Sequence, residues 1–140
     1  MADTPSPEKL AALAVGEQGE LFVQQHLKSQ DWQIVATRWR CRWGELDLVA
    51  FHAQTKILAF VEVKTRQQHS LDYQGLLAIT PSKQRKTIRA AMQFLSKFPQ
   101  YETYGCRFDV ALVTYSKTAT FPQGFRLATY LEGAFEADAS

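Results

Sequence analysis

Two stretches rich in Val, Leu, Ile and Phe, residues 45–51 and 57–65, are joined by a short polar segment at 52–56. That spacing suits a β-hairpin, and few other folds satisfy two adjacent β-forming runs so close together. With the turn centred between Gln54 and Thr55, Asp47 lies directly opposite Glu62, with Cβ atoms about 4.5–5.5 Å apart on one sheet face. The two-residue period of a strand puts Lys64 on the same face, opposite Glu45. A register slip of one residue would turn these groups to different sides, so the inference rests on the turn.

The neighbours of these charges are apolar: Leu46, Leu48 and Val49 around Asp47, and Phe60, Val61 and Val63 around Glu62. Such runs indicate strands covered on both faces, where a charge is usually paired, metal-bound or functional. Two carboxylates in that setting repel and lose hydration, and a hard divalent cation relieves both costs. Mg²⁺ or Mn²⁺ held there, with phosphate oxygens completing its shell, would suit phosphodiester hydrolysis. Lys64 is placed to stabilise developing charge, or to orient or deprotonate a water. The plainer alternative is a solvated, ion-paired sheet face.

The rest of the chain frames this hairpin. Residues 7–29 carry a helical pattern, with Ser6 as cap, Pro7 in the first turn, and Leu10, Leu13, Ala14, Val23 and Leu27 recurring at helical spacing. Gly16 and Gly19 interrupt it and signal a bend, a later start or a close approach of another backbone. Glu20 shares a face with Gly16, Val23 and Leu27, which makes it a candidate fourth member of the acidic site. A short strand is expected at 33–38 and a polar loop at 67–76. A second helix runs from the Thr80-Pro81 start to Pro99, with Ile88, Ala91, Met92 and Leu95 as its buried stripe. Strands at 107–115 and 125–131 follow. The order α-βββ-α-ββ predicts an α/β fold: a mixed central β-sheet flanked by α-helices, in one domain over 7–135, with a disordered leader at 1–6 and a polar tail at 136–140.

Composition adds exclusions. A formal charge of +2 does not by itself mark a nucleic-acid binder, so that case depends on where the basic residues sit. Two cysteines, Cys41 and Cys106, without a C-x-x-C, argue against a zinc site or a disulfide framework. His26, His52 and His69 show no ligand spacing. No apolar run approaches the roughly 18 residues of a membrane helix, and the start lacks a secretion signal. The expected setting is therefore cytoplasmic, with no membrane partner.

Two basic segments are candidates for nucleic-acid contact. Residues 37–43 interleave Arg38, Arg40 and Arg42 with Trp39 and Trp43 just before the Asp47 strand. The arginines can neutralise phosphates and the indoles can stack on bases, or the indoles can serve as core. Lys83, Arg85, Lys86 and Arg89 cluster in the first half of the second helix, where basic charge opposes the macrodipole unless an anion is bound. Arg66 directly follows the site strand.

Taken together, Gly16-Glu17-Gln18-Gly19-Glu20, Gly44-Glu45-Leu46-Asp47-Leu48-Val49, Phe60-Val61-Glu62-Val63-Lys64-Thr65-Arg66, Lys83, Arg107-Phe108-Asp109-Val110 and Gly133-Ala134-Phe135 resemble the YraN-like family of small bacterial proteins. That family is grouped with the restriction-endonuclease-like, or PD-(D/E)XK, nucleases and is similar to archaeal Holliday-junction resolvases. The resemblance implies Asp47 and Glu62 as metal ligands, the Val63 carbonyl as a further ligand, Lys64 as the catalytic lysine and Glu20 as the helix-borne acid. Leu46 stands where the superfamily's name has proline. The implied activity is Mg²⁺- or Mn²⁺-dependent cleavage of DNA, branched DNA included. Arg40, Arg42, Arg66, Lys83 and Lys86 would contact nucleic acid, and a resolvase would act as a homodimer. The rival expectations are a non-catalytic nucleic-acid-binding module with this fold and an adaptor whose hairpin charges merely pair.

Overall fold

The computed structural model describes residue 6 and residues 14–68, 79–118 and 120–137. Its elements are α1 (Val15–Ser29), β1 (Trp32–Cys41), β2 (Gly44–His52), β3 (Ile57–Gln67), α2 (Pro81–Lys97), a 3-10 turn (Pro99–Tyr101), β4 (Gly105–Tyr115) and β5 (Phe125–Phe135). This is the expected α-βββ-α-ββ order. The strands form one five-stranded sheet in sequence order, antiparallel at every junction except the parallel pair β3–β4. A parallel neighbour requires a crossover, and α2 lies in that connection.

Both faces of the sheet are covered, which explains why the strands are apolar at successive positions. On one face Val23 and Leu27 of α1 pack with Leu48, Ala50, Ala59, Val61, Ala111 and Val113. On the other, Ala90, Ala91 and Phe94 of α2 pack with Leu46, Val49, Leu58, Phe60 and Phe108. Phe94 is fully buried and meets Trp39 edge-on, with ring centroids 5.3 Å apart. Trp39 is thus core and is not a stacking platform. Of the expected α2 stripe Ile88, Ala91 and Leu95 pack in the core, but Met92 is 64% exposed. The buried face is centred on Ala91 and Phe94, and Met92 lies about 100° around the helix from Ala91.

Several boundaries move. Ala14 has extended backbone and α1 begins at Val15. Residues 1–5 of the leader, the helix start at Pro7, most of the loop at 67–76 with His69, and the end of the tail fall outside the described residues. Gly19 marks a close approach: a Cβ there would collide with the Thr65 side chain of β3. β1 reaches Cys41 because Trp39 and Cys41 continue to pack toward α2 between exposed arginines. It joins β2 through a two-residue turn, since Cys41 pairs with Gly44. Thr80 caps α2 by accepting the Lys83 backbone N–H at 3.1 Å, and Pro81 takes the first position. Among the described residues no helix is long and apolar enough to cross a membrane.

β5 extends beyond the expected 131 because Asp109 anchors it. This fully buried carboxylate accepts two bonds from Arg107 (2.9 and 3.0 Å), one from the Tyr130 hydroxyl (2.7 Å) and one from the Gly133 N–H (3.0 Å). Gly133 has φ of 61°, a conformation that suits glycine, within the irregular pairing between β4 and β5. Replacing Asp109 by Ala would leave buried donors unpaired and Arg107 with only the exposed Glu132. The expected loss is about 3–5 kcal/mol in urea unfolding. A loss below about 1 kcal/mol would show that this network does not hold β5.

Candidate active site

β2 and β3 follow the expected register from His52↔Ile57 to Leu48↔Val61, and there they part. Beyond that point β2 keeps β1 as its partner down to Cys41↔Gly44, while β3 keeps β4 up to Gln67↔Tyr115. Asp47 is the first β2 residue past the last pair. Its Oδ2 accepts the Val63 backbone N–H at 2.9 Å, taking the place a β2 carbonyl would hold in a continued ladder. In an antiparallel strand a residue's N–H and C=O face the same neighbour, so the Val63 carbonyl turns toward the same gap.

Glu62 and Lys64 flank Val63 and, by strand alternation, share the α2 face with Leu58 and Phe60. Asp47, Glu62 and Glu45 line one cleft together with Phe60, Ile79 and Thr87. Lys83, in the first turn of α2, brings Nζ to 3.8 Å from Glu62 Oε1. Sequence reasoning placed Lys83 on a nucleic-acid surface and missed its contact with Glu62. The signal was its seat at a helix start with no acid in the first turn.

Burial, and then the nearby Glu62 charge, push the Asp47 carboxyl from 3.8 up to about 7. The Val63 N–H and Lys83 oppose that rise, and the Glu20 charge adds to it. Lys64 is shifted down, first by burial and then by Arg66 and Lys83, with Glu62 acting the other way. The cleft therefore disfavours two simultaneous negative charges, and a cation would relieve it.

The donors present fit a hard, oxygen-liking ion. Asp47 Oδ1 takes no hydrogen bond from any described residue, Glu62 offers a second carboxylate, and the Val63 carbonyl faces the gap. Among the described residues no three His, Cys, Asp or Glu side chains come together as a cage. Such a site matches the habit of Mg²⁺, which uses one or two carboxylates and fills its shell with water and phosphate oxygens.

The other expected residues are distributed around this centre. Glu20 is near enough for its charge to act on Asp47, while its Oε1 accepts Arg38 Nε at 2.8 Å and Arg38 also lies 3.7 Å from Glu17. Glu45 does not face Lys64, because the strands have parted by then. It pairs with Arg40 across β1–β2 at 2.7 Å instead. Arg66 donates to the Thr65 carbonyl at 2.9 Å. Arg42 lies over the Trp43 ring, and Lys86 is exposed on α2. His26 and His52 are half-buried, with rings against Tyr130 and Trp32. Cys41 and Cys106 are free.

The raised Asp47 pKa has a measurable consequence. Between about 4 and 7 the folded state holds a proton that the unfolded chain has lost, so metal-free stability falls as pH rises through this window. The full displacement corresponds to on the order of 4 kcal/mol. Melting across pH 4–8 should show this decline, which Asp47→Asn flattens and Mg²⁺ offsets above pH 7. A decline of equal size in the variant would place its origin elsewhere.

Comparison with known proteins accords with this reading of the chain's kinship. Residues 19–113 match the family model described as "Uncharacterised protein family UPF0102". A UPF0102 protein of Synechococcus sp. (strain JA-3-3Ab) is 50% identical over 130 residues, covering 93% of this chain and 97% of that protein. One from Thermosynechococcus vestitus is 48% identical over 124 residues, covering 89% and 95%. One from Nostoc sp. is 43% identical over 136 residues, covering 91% and 97%. With a five-stranded mixed sheet and two α-helices among its described residues, this chain belongs to the UPF0102, or YraN, family.

Proposed function

We propose that this protein is a divalent-cation-dependent endonuclease that hydrolyses phosphodiester bonds in DNA, branched DNA included. One observation carries the reading: β2 and β3 part where Asp47 and Glu62 share a cleft, with Lys64 and Lys83 beside them. A structural ion pair has no need of a gap in the ladder, whereas a phosphate and its cation do.

Asp47 Oδ1, Glu62 and the Val63 carbonyl would hold the ion. When bound, Mg²⁺ or Mn²⁺ supplies the charge that polarises a scissile phosphate and acidifies a water. Lys64 carries a pKa lowered by burial, so it can hold or release a proton beside the attacked phosphorus. Lys83 would exchange Glu62 for a phosphate oxygen, aided by the α2 N-terminus that Thr80 caps. Arg40, Arg66 and Lys86 would add phosphate contacts around the cleft. A DNA substrate and two free thiols suit a cytoplasmic setting. On a four-way junction, two cuts would call for a homodimer.

The Glu62–Lys83 pair itself favours a second reading, a non-catalytic nucleic-acid-binding module in which the cleft charges neutralise each other. Fluorescent linear, flap and four-way DNA incubated with Mn²⁺ or Mg²⁺ separates the two. The nuclease reading expects cleavage abolished by chelator and reduced on the order of a hundredfold or more in Asp47→Ala, Glu62→Ala and Lys64→Ala. Cleavage that persists in the two carboxylate variants removes these residues from the chemistry. Chelator-insensitive binding without any cleavage supports the module.

A further inference from the structure

The turn joining β1 to β2 carries Arg42 and Trp43, and it packs against the outer side of α2. There the guanidinium carbons of Arg42 and Arg89 each lie 4.7 Å from the centre of the Trp43 ring. Both arginines are exposed, and among the described residues neither has a carboxylate within ion-pair distance. Three other arginines are held by carboxylates: Arg38 by Glu20, Arg40 by Glu45 and Arg107 by Asp109. A guanidinium lying over an indole is held by the ring while its N–H edges remain available, in the fork geometry that suits phosphate.

The position relative to the cleft gives this arrangement meaning. Trp43, in the turn, precedes Asp47 of β2 by four residues, a span of up to about 13 Å. That is the rise of about four base pairs along the axis of B-form DNA. A second track leads the same way: on α2, Lys83, Lys86 and Arg89 are successive helical neighbours, and the step from Lys83 to Arg89 rises about 9 Å. Lys83 touches Glu62 at one end, and Arg89 touches Trp43 at the other.

We infer that Arg42 and Arg89, held on Trp43, clamp a phosphate of the DNA strand up to about 13 Å from the bond that is cut, with Lys86 beside the path between them. The inference rests on the nuclease reading for the identity of the strand. The clamp positions the backbone and carries no sequence preference, since phosphates have none to offer. Exposed Met92, next to Arg89 in the groove beside Trp43, offers no charge to a polyanion. A protein partner would instead bury it.

Binding of a fluorescein-labelled flap DNA, followed by anisotropy in EDTA from about 50 to 200 mM salt, tests the clamp without turnover. Arg42→Ala and Arg89→Ala, both exposed and checked for native melting, should each weaken binding several-fold at low salt. The double variant should also lower the slope of log affinity against log salt by about 0.9, the share of one phosphate. Trp43→Phe should retain most of the binding, and Met92→Ala all of it. Wild-type affinity and slope in the double arginine variant overturn the clamp and leave the nuclease reading standing. A loss in Met92→Ala equal to that in the arginine variants also overturns it, in favour of an apolar contact. A parent protein that binds no DNA in any salt overturns both readings.

Discussion

A single hydrogen bond decides the character of this protein: the one from the Val63 N–H to the Asp47 carboxylate. In an uninterrupted sheet that N–H would meet a β2 carbonyl, and the side chains on either side would be ordinary members of a covered face. Here a side chain substitutes for the backbone, so the two strands separate without leaving the Val63 donor unpaired. The separation is one-sided. β1 and β4 hold their partners to the end, which keeps both arms of the fork rigid. A cleft on rigid strands fixes its charged groups more tightly than one on loops.

The energetic cost of the cleft is visible in Asp47, whose carboxyl is pushed up to about 7 by burial and the Glu62 charge. The fold tolerates this because both faces of the sheet are packed and the neighbouring carboxylate Asp109 is fully satisfied. The two aspartates make a useful contrast. Asp109 is surrounded by four donors and ties β4 to β5. Among the described residues Asp47 has one backbone donor, on one oxygen, and it lines the cleft. Equal chemistry in two environments yields a structural residue in one case and a candidate ligand in the other.

Much of this was legible in the sequence, for identifiable reasons. The hairpin register followed from turn length and from the period of two, and the observed pairs from His52↔Ile57 to Leu48↔Val61 obey it. The parting of the strands was not legible, because the hydrophobic pattern continues through Leu46 and Val63 as though pairing continued. For the same reason Glu45 was assigned to Lys64, although it turns to Arg40. Glu20 was read as facing inward, which its half-buried position allows, but its engagement by Arg38 depends on a strand distant in sequence. Trp39 and Trp43 looked equivalent four residues apart. Only the packing of α2 sends one against Phe94 and leaves the other in contact with two arginines. Met92 was misplaced because a helical stripe read from spacing alone is uncertain by about one residue, or 100°.

The claim that the parted strands hold a cation is tested most directly by diffraction from crystals soaked in Mn²⁺, using the anomalous signal of the ion. The account predicts a peak within bonding distance of an Asp47 oxygen, a Glu62 oxygen and the Val63 carbonyl, with Lys83 displaced from Glu62. Well-ordered Asp47 and Glu62 side chains with no peak between them, and Lys83 still on Glu62, would contradict it.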